Sequence, residues 1–128
     1  MDEWIGQMEA TPHFCPACHK NNKAGWQSAA KVARAMVHRS DIAARFLRSE
    51  MTFYSREVAS RLNEAALQYE HICNLLAPAV SDRGGASYRE FIGDLEKQKA
   101  HAASVLKPVR GALLAAAEQL ENAVALMV

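Results

Sequence analysis

One apolar stripe in the middle of the chain restricts the fold more than any other feature. Its residues follow one another at alternating steps of four and three: Val58, Leu62, Ala65, Tyr69, Ile72 and Leu76. This spacing places all six side chains on one side of an α-helix, and such a long apolar stripe has to be covered by other helices. The stripe therefore predicts a helix that packs against neighbours along its whole length.

Three further segments have helical apolar spacing. The segment before the stripe extends from about Ser28 to Ser49, and we expect its buried side to carry Val32, Met36, Ala43, Phe46 and Leu47. A later segment starts at a capping box formed by Ser87 and Glu90 and buries Leu95, Ala102 and Leu106. The last is rich in alanine, which permits close helix approach, and its apolar positions are Val109, Leu113, Ala116, Leu120, Val124 and Met127.

Helix boundaries are marked by a few residues. Pro78 and the following "SDRGG" stop the second helix, and Pro108 breaks or kinks the run that follows the capping box. We place the boundary between the first two helices near Met51 and Thr52, because Thr52 or Ser55 can cap a new helix. The alternative is one helix of about 50 residues, since this link contains neither Gly nor Pro.

The composition agrees with a packed helical protein. Half of the residues are hydrophobic, and the 128 residues include only 6 Gly and 4 Pro. No segment alternates with the period of two that a strand requires. We therefore predict an all-α fold, a three- or four-helix antiparallel bundle preceded by a short N-terminal Cys/His knuckle. Residues 1–25 form the knuckle segment and residues 26–128 the bundle, within one structural domain overall.

The N-terminus and the hydropathy pattern suggest the compartment. "MDEWIGQMEA" is acidic and lacks the basic start and apolar run of a secretory signal. No stretch reaches the ~18 apolar residues that a membrane span needs, so we expect no membrane partner. We expect a cytoplasmic protein whose cysteines stay reduced, which makes a C-x-x-C pair a metal or redox motif rather than a disulfide.

Cys15 and Cys18 form the strongest chemical motif, "CPAC". Two thiolates in a tight turn suit zinc, and the motif resembles one half of a zinc-ribbon site, although the second C-x-x-C of such a site is absent. The remaining ligands are expected from His13 or His19, which flank the pair, or from Cys73 across the fold. A second copy of the chain could instead complete a four-thiolate site in a homodimer.

The same motif fits two other chemistries. "CPACH" satisfies the C-x-x-C-H pattern of c-type haem attachment, with His19 as axial ligand, and it also fits a redox dithiol. Haem attachment normally follows export, and no export signal is present. A redox dithiol lacks the βαβ setting of thioredoxin-like motifs. Zinc is therefore the preferred cofactor, with a redox or c-type haem protein as the alternative.

Basic residues concentrate on the first helix. From Lys20 to Arg61 there are nine Lys or Arg against three Asp or Glu, a net charge of +6, although the whole chain carries only +1. Helical spacing places one set on a common face, with Arg39 beside it: Lys31, Arg34, His38, Arg45 and Arg48. This face predicts contact with an acidic protein or, through phosphates, with nucleic acid.

Catalysis has no support in the sequence. There is no nucleophile elbow, no phosphate-binding glycine loop and no Glu-x-x-His motif of a di-iron bundle. The apolar C-terminus "AVALMV" adds self-association to the expected properties. We expect a non-enzymatic, zinc-stapled helical bundle that acts as a regulatory or adaptor module through its basic helix face.

Overall fold

The computed structural model describes residues 1–10, 19–80 and 95–128, and its secondary structure within these ranges is entirely helical. Within these ranges, five α-helices follow in order: α1 (Asp2–Ala10), α2 (His19–Glu50), α3 (Arg56–Val80), α4 (Leu95–His101) and α5 (Lys107–Met127). A 3₁₀ turn, Met51–Phe53, links α2 to α3, and a π-helical turn, Ala102–Leu106, joins α4 to α5. The all-α prediction is confirmed.

The central helix is α3, which packs along both α2 and α5. Ala33 of α2 meets the C-terminal half of α3, whereas Leu47 meets its N-terminal half, so the two helices are antiparallel. Val109 and Ala123 show the same reversed order along α5. In the part of the chain described, α2 and α5 make few close backbone contacts with each other. The helices thus form an antiparallel bundle in which α2 and α5 run parallel on two sides of α3.

Among the residues whose burial is described, the core consists of two apolar clusters along α3. The first joins α1, α2, α3, the π turn and α5 through Ile5, Met8, Ala33, Ile72, Leu76, Ala102, Leu106, Val109 and Ala112. The second joins the opposite halves of α2, α3 and α5 through Ala44, Leu47, Val58, Leu62, Ala65, Ala66 and Ala123. Tyr69 packs against both clusters. The predicted stripe on α3 is confirmed, because five of its residues are buried and Tyr69 is half-buried.

Alanine sets the spacing between α3 and its neighbours. Ala65 and Ala66 on α3 are fully buried, as is Ala116 on α5, and Ala112 and Ala123 are almost so. Small side chains let helix backbones approach closely, whereas larger ones at these positions would hold them apart. The alanine-rich interface predicted for the last helix therefore lies between α5 and α3.

The predicted boundary between the first two helices is also confirmed. α2 ends at Glu50, and the 3₁₀ turn separates it from α3. The Ser55 hydroxyl accepts a 3.4 Å hydrogen bond from the backbone N–H of Val58, which is the contact expected of an N-cap. At the other end, α3 continues through Pro78 to Val80 instead of stopping at the proline. The predicted capping box at Ser87 and Glu90 lies outside the described residues.

α1 belongs to the bundle, although the sequence pattern did not predict this helix. Ile5 and Met8 are buried in the first cluster. Arg110 of α5 binds Asp2 at 2.8 Å, and Lys107 lies 3.4 Å from Glu9. The hydrogen bond from Arg110, together with its charge, lowers the pKa of Asp2 below its ordinary value. α1 therefore packs against α4 and the π turn, and two ion pairs connect it to α5.

The π turn explains how the last helical run passes Pro108. Proline has no backbone N–H, and in a regular α-helix its ring meets the carbonyl four residues earlier, here that of Ser104. Ser104 lies within the π turn, and Pro108 follows directly as the second residue of α5. In this turn the backbone N–H of Lys107 donates to the carbonyl of Ala102, five residues earlier, as in a π-helix. The helical run therefore continues across a proline that was expected to break or kink it.

We expect that Ala65→Leu destabilises the protein by about 1–3 kcal/mol, because the added atoms have no room between α3 and its neighbours. Ala77→Leu, at an exposed position of the same helix, is the matched control and should change stability by less than about 0.5 kcal/mol. Urea unfolding followed by circular dichroism measures both. Equal effects of the two substitutions would contradict the close packing at Ala65.

His101 makes stability depend on pH. It is the last residue of α4, only 7% exposed, and burial lowers its pKa from 6.5 to about 4. Between these values the unfolded state binds a proton that the folded state does not. The stabilising contribution is complete above pH 6.5 and is lost as the pH falls to about 4, with a maximum of about 3 kcal/mol.

The substitution His101→Gln should remove this part of the pH dependence, since glutamine does not titrate. The free energy of unfolding, measured between about pH 7.5 and pH 4.5, should fall less steeply for this variant than for the wild type. Asn74→Gln, at an exposed position of α3, should follow the wild-type curve. Parallel curves for the wild type and His101→Gln would refute the assignment.

Candidate interaction surface

The candidate site is the side of α2 that faces away from α3. The opposite, buried side of α2 carries small residues and one leucine: Ala33, Ser40, Ala44 and Leu47. Their spacing follows the helical repeat, so the residues between them project outward. Because α3 covers only one side of α2, the outward side is left with two parallel rows of exposed residues.

The first row is basic and contains four of the predicted partner-binding residues. Lys31, Arg34, His38 and Arg45 are exposed at helical spacing, and we call them the basic strip. Arg45 forms an ion pair with Asp41 at 3.2 Å, yet its side chain remains 80% exposed. Exposed ion pairs of this kind add little stability, so Arg45 can exchange Asp41 for an external carboxylate at small cost.

Arg48, the fifth residue of the predicted face, lies on the side of α2 towards α3. Its Nη2 atom lies 2.8 Å from a carboxylate oxygen of Glu70, and its Nη1 atom donates a 3.1 Å hydrogen bond to the side-chain oxygen of Asn63. Both partners belong to α3. Arg48 therefore connects the two helices and is set apart from the basic strip.

The second row is mostly apolar, and we call it the outer stripe: Val32, Ala35, Arg39, Ile42 and Phe46. Ile42 is 53% exposed and Phe46 60% exposed, and Arg39 is the charged member in the middle. Steps of three and four place all five on one line along the helix. A row of mostly apolar side chains beside a row of basic residues is typical of a surface that binds a partner.

The prediction that Val32 and Phe46 lie on the buried side is wrong, because both are exposed. Most of the fully buried positions of α2 hold small residues, which let α3 approach closely, and Met36 and Val37 pack at the edge of the first cluster. The sequence contained the signal for this arrangement, since the outer stripe has the same three-and-four spacing as a buried seam. The sequence offered no reason to expect that α2 buries its alanines rather than its phenylalanine. Arg39 was predicted as a partner-binding residue and lies in the outer stripe, whereas the apolar residues of this stripe are the part of the surface that sequence reasoning missed.

A shallow groove between α2 and α3 contains Cys73, one of the predicted metal ligands. The groove is lined by Arg34, Val37, His38, Asp41 and Cys73. The Cys73 thiol lies 3.4 Å from the carbonyl oxygen of Val37, to which it donates a hydrogen bond. Partial burial raises its pKa, which favours the thiol over the thiolate that a metal requires. This environment suits a packed cysteine better than a ligand.

The other predicted ligands have no described side chain. His13, Cys15 and Cys18 lie outside the described residues, and His19 is the first residue of α2, where only the backbone is described. Within residues 1–10, 19–80 and 95–128, no group of three or more His, Cys, Asp or Glu side chains could hold a metal ion. Likewise, no helix in these ranges is long and apolar enough to cross a membrane. The zinc site stays a prediction.

Comparison with known proteins gives no further identification of this surface. No protein-family model matches the chain, and no curated protein or solved structure is significantly similar to it. The function therefore has to be inferred from the chemistry of the surface on α2.

Proposed function

We propose that this chain is a small non-enzymatic interaction module that binds an acidic segment of a protein through the outward side of α2. The observation that carries the proposal is the outer stripe, which remains exposed beside the basic strip along α2. An adaptor or regulatory role follows from this surface, because binding is the only chemistry that it offers.

The combination of the two rows favours a protein partner. Ile42 and Phe46 offer apolar area that a phosphate backbone would leave uncovered, whereas an amphipathic helix covers such positions at i, i+3, i+4 and i+7. The basic strip would contact carboxylates along the edge of that helix, which increases the rate of association and selects the partner. The complementary ligand is thus an acidic amphipathic helix.

Nucleic acid is the competing partner, and the basic strip supports it. Arg34 and Arg45 are suitably exposed for phosphate contacts. Binding of that kind would be insensitive to the apolar residues and would weaken steeply with salt. The two partners therefore differ in which row of α2 they need.

We further propose that zinc binds Cys15 and Cys18 and fixes the N-terminal segment. Their C-x-x-C spacing supports the proposal, and the cytoplasmic location expected from the sequence keeps both thiols reduced. The raised pKa of Cys73 argues for the nearby histidines, His13 or His19, or for a second copy as the source of the remaining ligands.

A fluorescent acidic peptide tests the proposed function. The probe is a designed amphipathic helix with leucines at three-and-four spacing and glutamates beside them, and its binding is followed by fluorescence anisotropy. We expect Ile42→Glu and Phe46→Glu each to weaken the peptide's Kd at least about tenfold, because a charge replaces an apolar anchor. The matched control is Leu67→Glu, at an exposed leucine of α3, which should leave Kd unchanged.

Duplex DNA provides the opposing measurement. If DNA binds more tightly than the peptide and its binding survives Ile42→Glu but is lost in the combined Arg34→Glu and Arg45→Glu variant, the partner is nucleic acid. If the wild-type protein binds neither the acidic peptide nor duplex DNA, the proposed function is refuted for protein and nucleic-acid partners alike.

Metal analysis tests the zinc site. We expect about one zinc per chain in purified protein, or half of that if two chains share the ion, and loss of the metal in Cys15→Ser and Cys18→Ser. Cys73→Ser should retain it if the remaining ligands are local. Metal-free wild-type protein with full stability would refute the site, and absorbance in the Soret region would identify haem instead.

A further inference from the structure

α5 carries a second exposed row on its outward side, away from α3. We call it the acidic stripe: Leu114, Ala117, Glu121 and Val124 of α5, together with Val128, which follows the helix. Leu114 is 66% exposed and Val124 58% exposed. From Gly111 to the C-terminus, the chain contains two glutamates, Glu118 and Glu121, and no lysine or arginine. This helix therefore has the apolar and acidic character that the surface of α2 would recognise.

The two rows match in spacing as well as in charge. Both rows have the same order of residue types at successive steps of three, four, three and four residues. The order is an apolar residue, an alanine, a charged residue and two further apolar residues. Val32, Arg39 and Ile42 thus correspond to Leu114, Glu121 and Val124, with opposite charges at the shared middle position. When two such helices lie side by side in parallel, their apolar residues meet and Arg39 lies near Glu121.

The direction of the helices suits a parallel contact between two copies. α2 and α5 are both antiparallel to α3 and therefore parallel to each other. Their exposed rows both face away from α3, so the rows of one chain cannot meet. Two copies with the same orientation of their helix axes can place α2 of one beside α5 of the other, with the helices parallel.

We propose that the chain self-associates through this contact, in which the outer stripe of α2 packs against the acidic stripe of α5 from a second copy. The inference rests on the proposed function, since it names an occupant for the same surface of α2. The contact joins two different patches. Repeated contacts therefore form a closed dimer or ring if successive rotations between copies add up to a full turn, and an open filament if they do not.

Charge reversal at the matched position tests the proposal. Arg39→Glu brings two carboxylates together at this position, and Glu121→Arg brings two guanidinium groups together. Each variant alone should therefore self-associate at least about tenfold more weakly than the wild type. In an equal mixture of the two variants, each contact between unlike copies pairs a glutamate with an arginine, so the mixture should regain association. Arg39→Glu combined with Glu121→Arg in one chain offers such a pair at every contact and should regain it as well. Sedimentation velocity at low ionic strength measures each sample.

Controls separate this contact from other causes. Glu64→Arg, at an exposed position of α3, changes the net charge as Glu121→Arg does and should associate like the wild type. Circular dichroism should show an unchanged fold in every variant. A wild-type protein that is monomeric up to about 0.5 mM would overturn the proposal, as would a doubly reversed chain that fails to regain association.

The acidic peptide distinguishes failure of this inference from failure of the proposed function. Glu121→Arg leaves α2 intact, so it should lose self-association but still bind the peptide. If only Arg39→Glu weakens association, the surface of α2 is used but α5 does not occupy it, which overturns the self-association contact while the proposed function stands.

Discussion

Close contact of α3 with helices on two sides is the constraint on which the rest of the structure depends. Ala65 and Ala66 are fully buried, and Ala44 and Ala123 fill the same cluster from α2 and α5. Among the residues described, the buried positions of α2 and α5 hold small residues except for Leu47 and Val109, so these close interfaces take few large side chains from the flanking helices. Phe46 on α2 and Leu114 on α5 are therefore exposed, and the candidate binding surfaces arise from the way in which the core is packed.

The sequence predicted the central helix and its neighbours well, because the stripe from Val58 to Leu76 is both apolar and strictly periodic. It also placed the boundary near Met51 correctly. The rotation of α2 could not be predicted, since both of its sides have three-and-four spacing and hydrophobicity alone favours burying Phe46 rather than Ala44. The choice depends on how closely α3 approaches, which is a property of two helices and cannot be read from one.

The candidate site shows the same division between local and long-range information. Helical spacing was enough to group Lys31, Arg34, His38 and Arg45 on one side. It could not distinguish Arg48, because the difference lies in Glu70, 22 residues later in the chain. The core role of α1 was hidden for a similar reason, because Ile5 and Met8 are buried by elements far along the chain, including α4 and the π turn. The zinc site at the cysteine pair within residues 11–18 stays a prediction that rests on the spacing of the cysteines alone.

Tyr69 has a consequence for the dynamics of the bundle. The two apolar clusters occupy opposite halves of α3, and either could open while the other stayed closed. Tyr69 packs against both clusters. Opening of one half therefore also removes part of the Tyr69 contact that the cluster in the other half makes. The two halves are thereby coupled into one cooperative unit, and local opening at one end of the bundle costs more free energy than the contacts of that end alone.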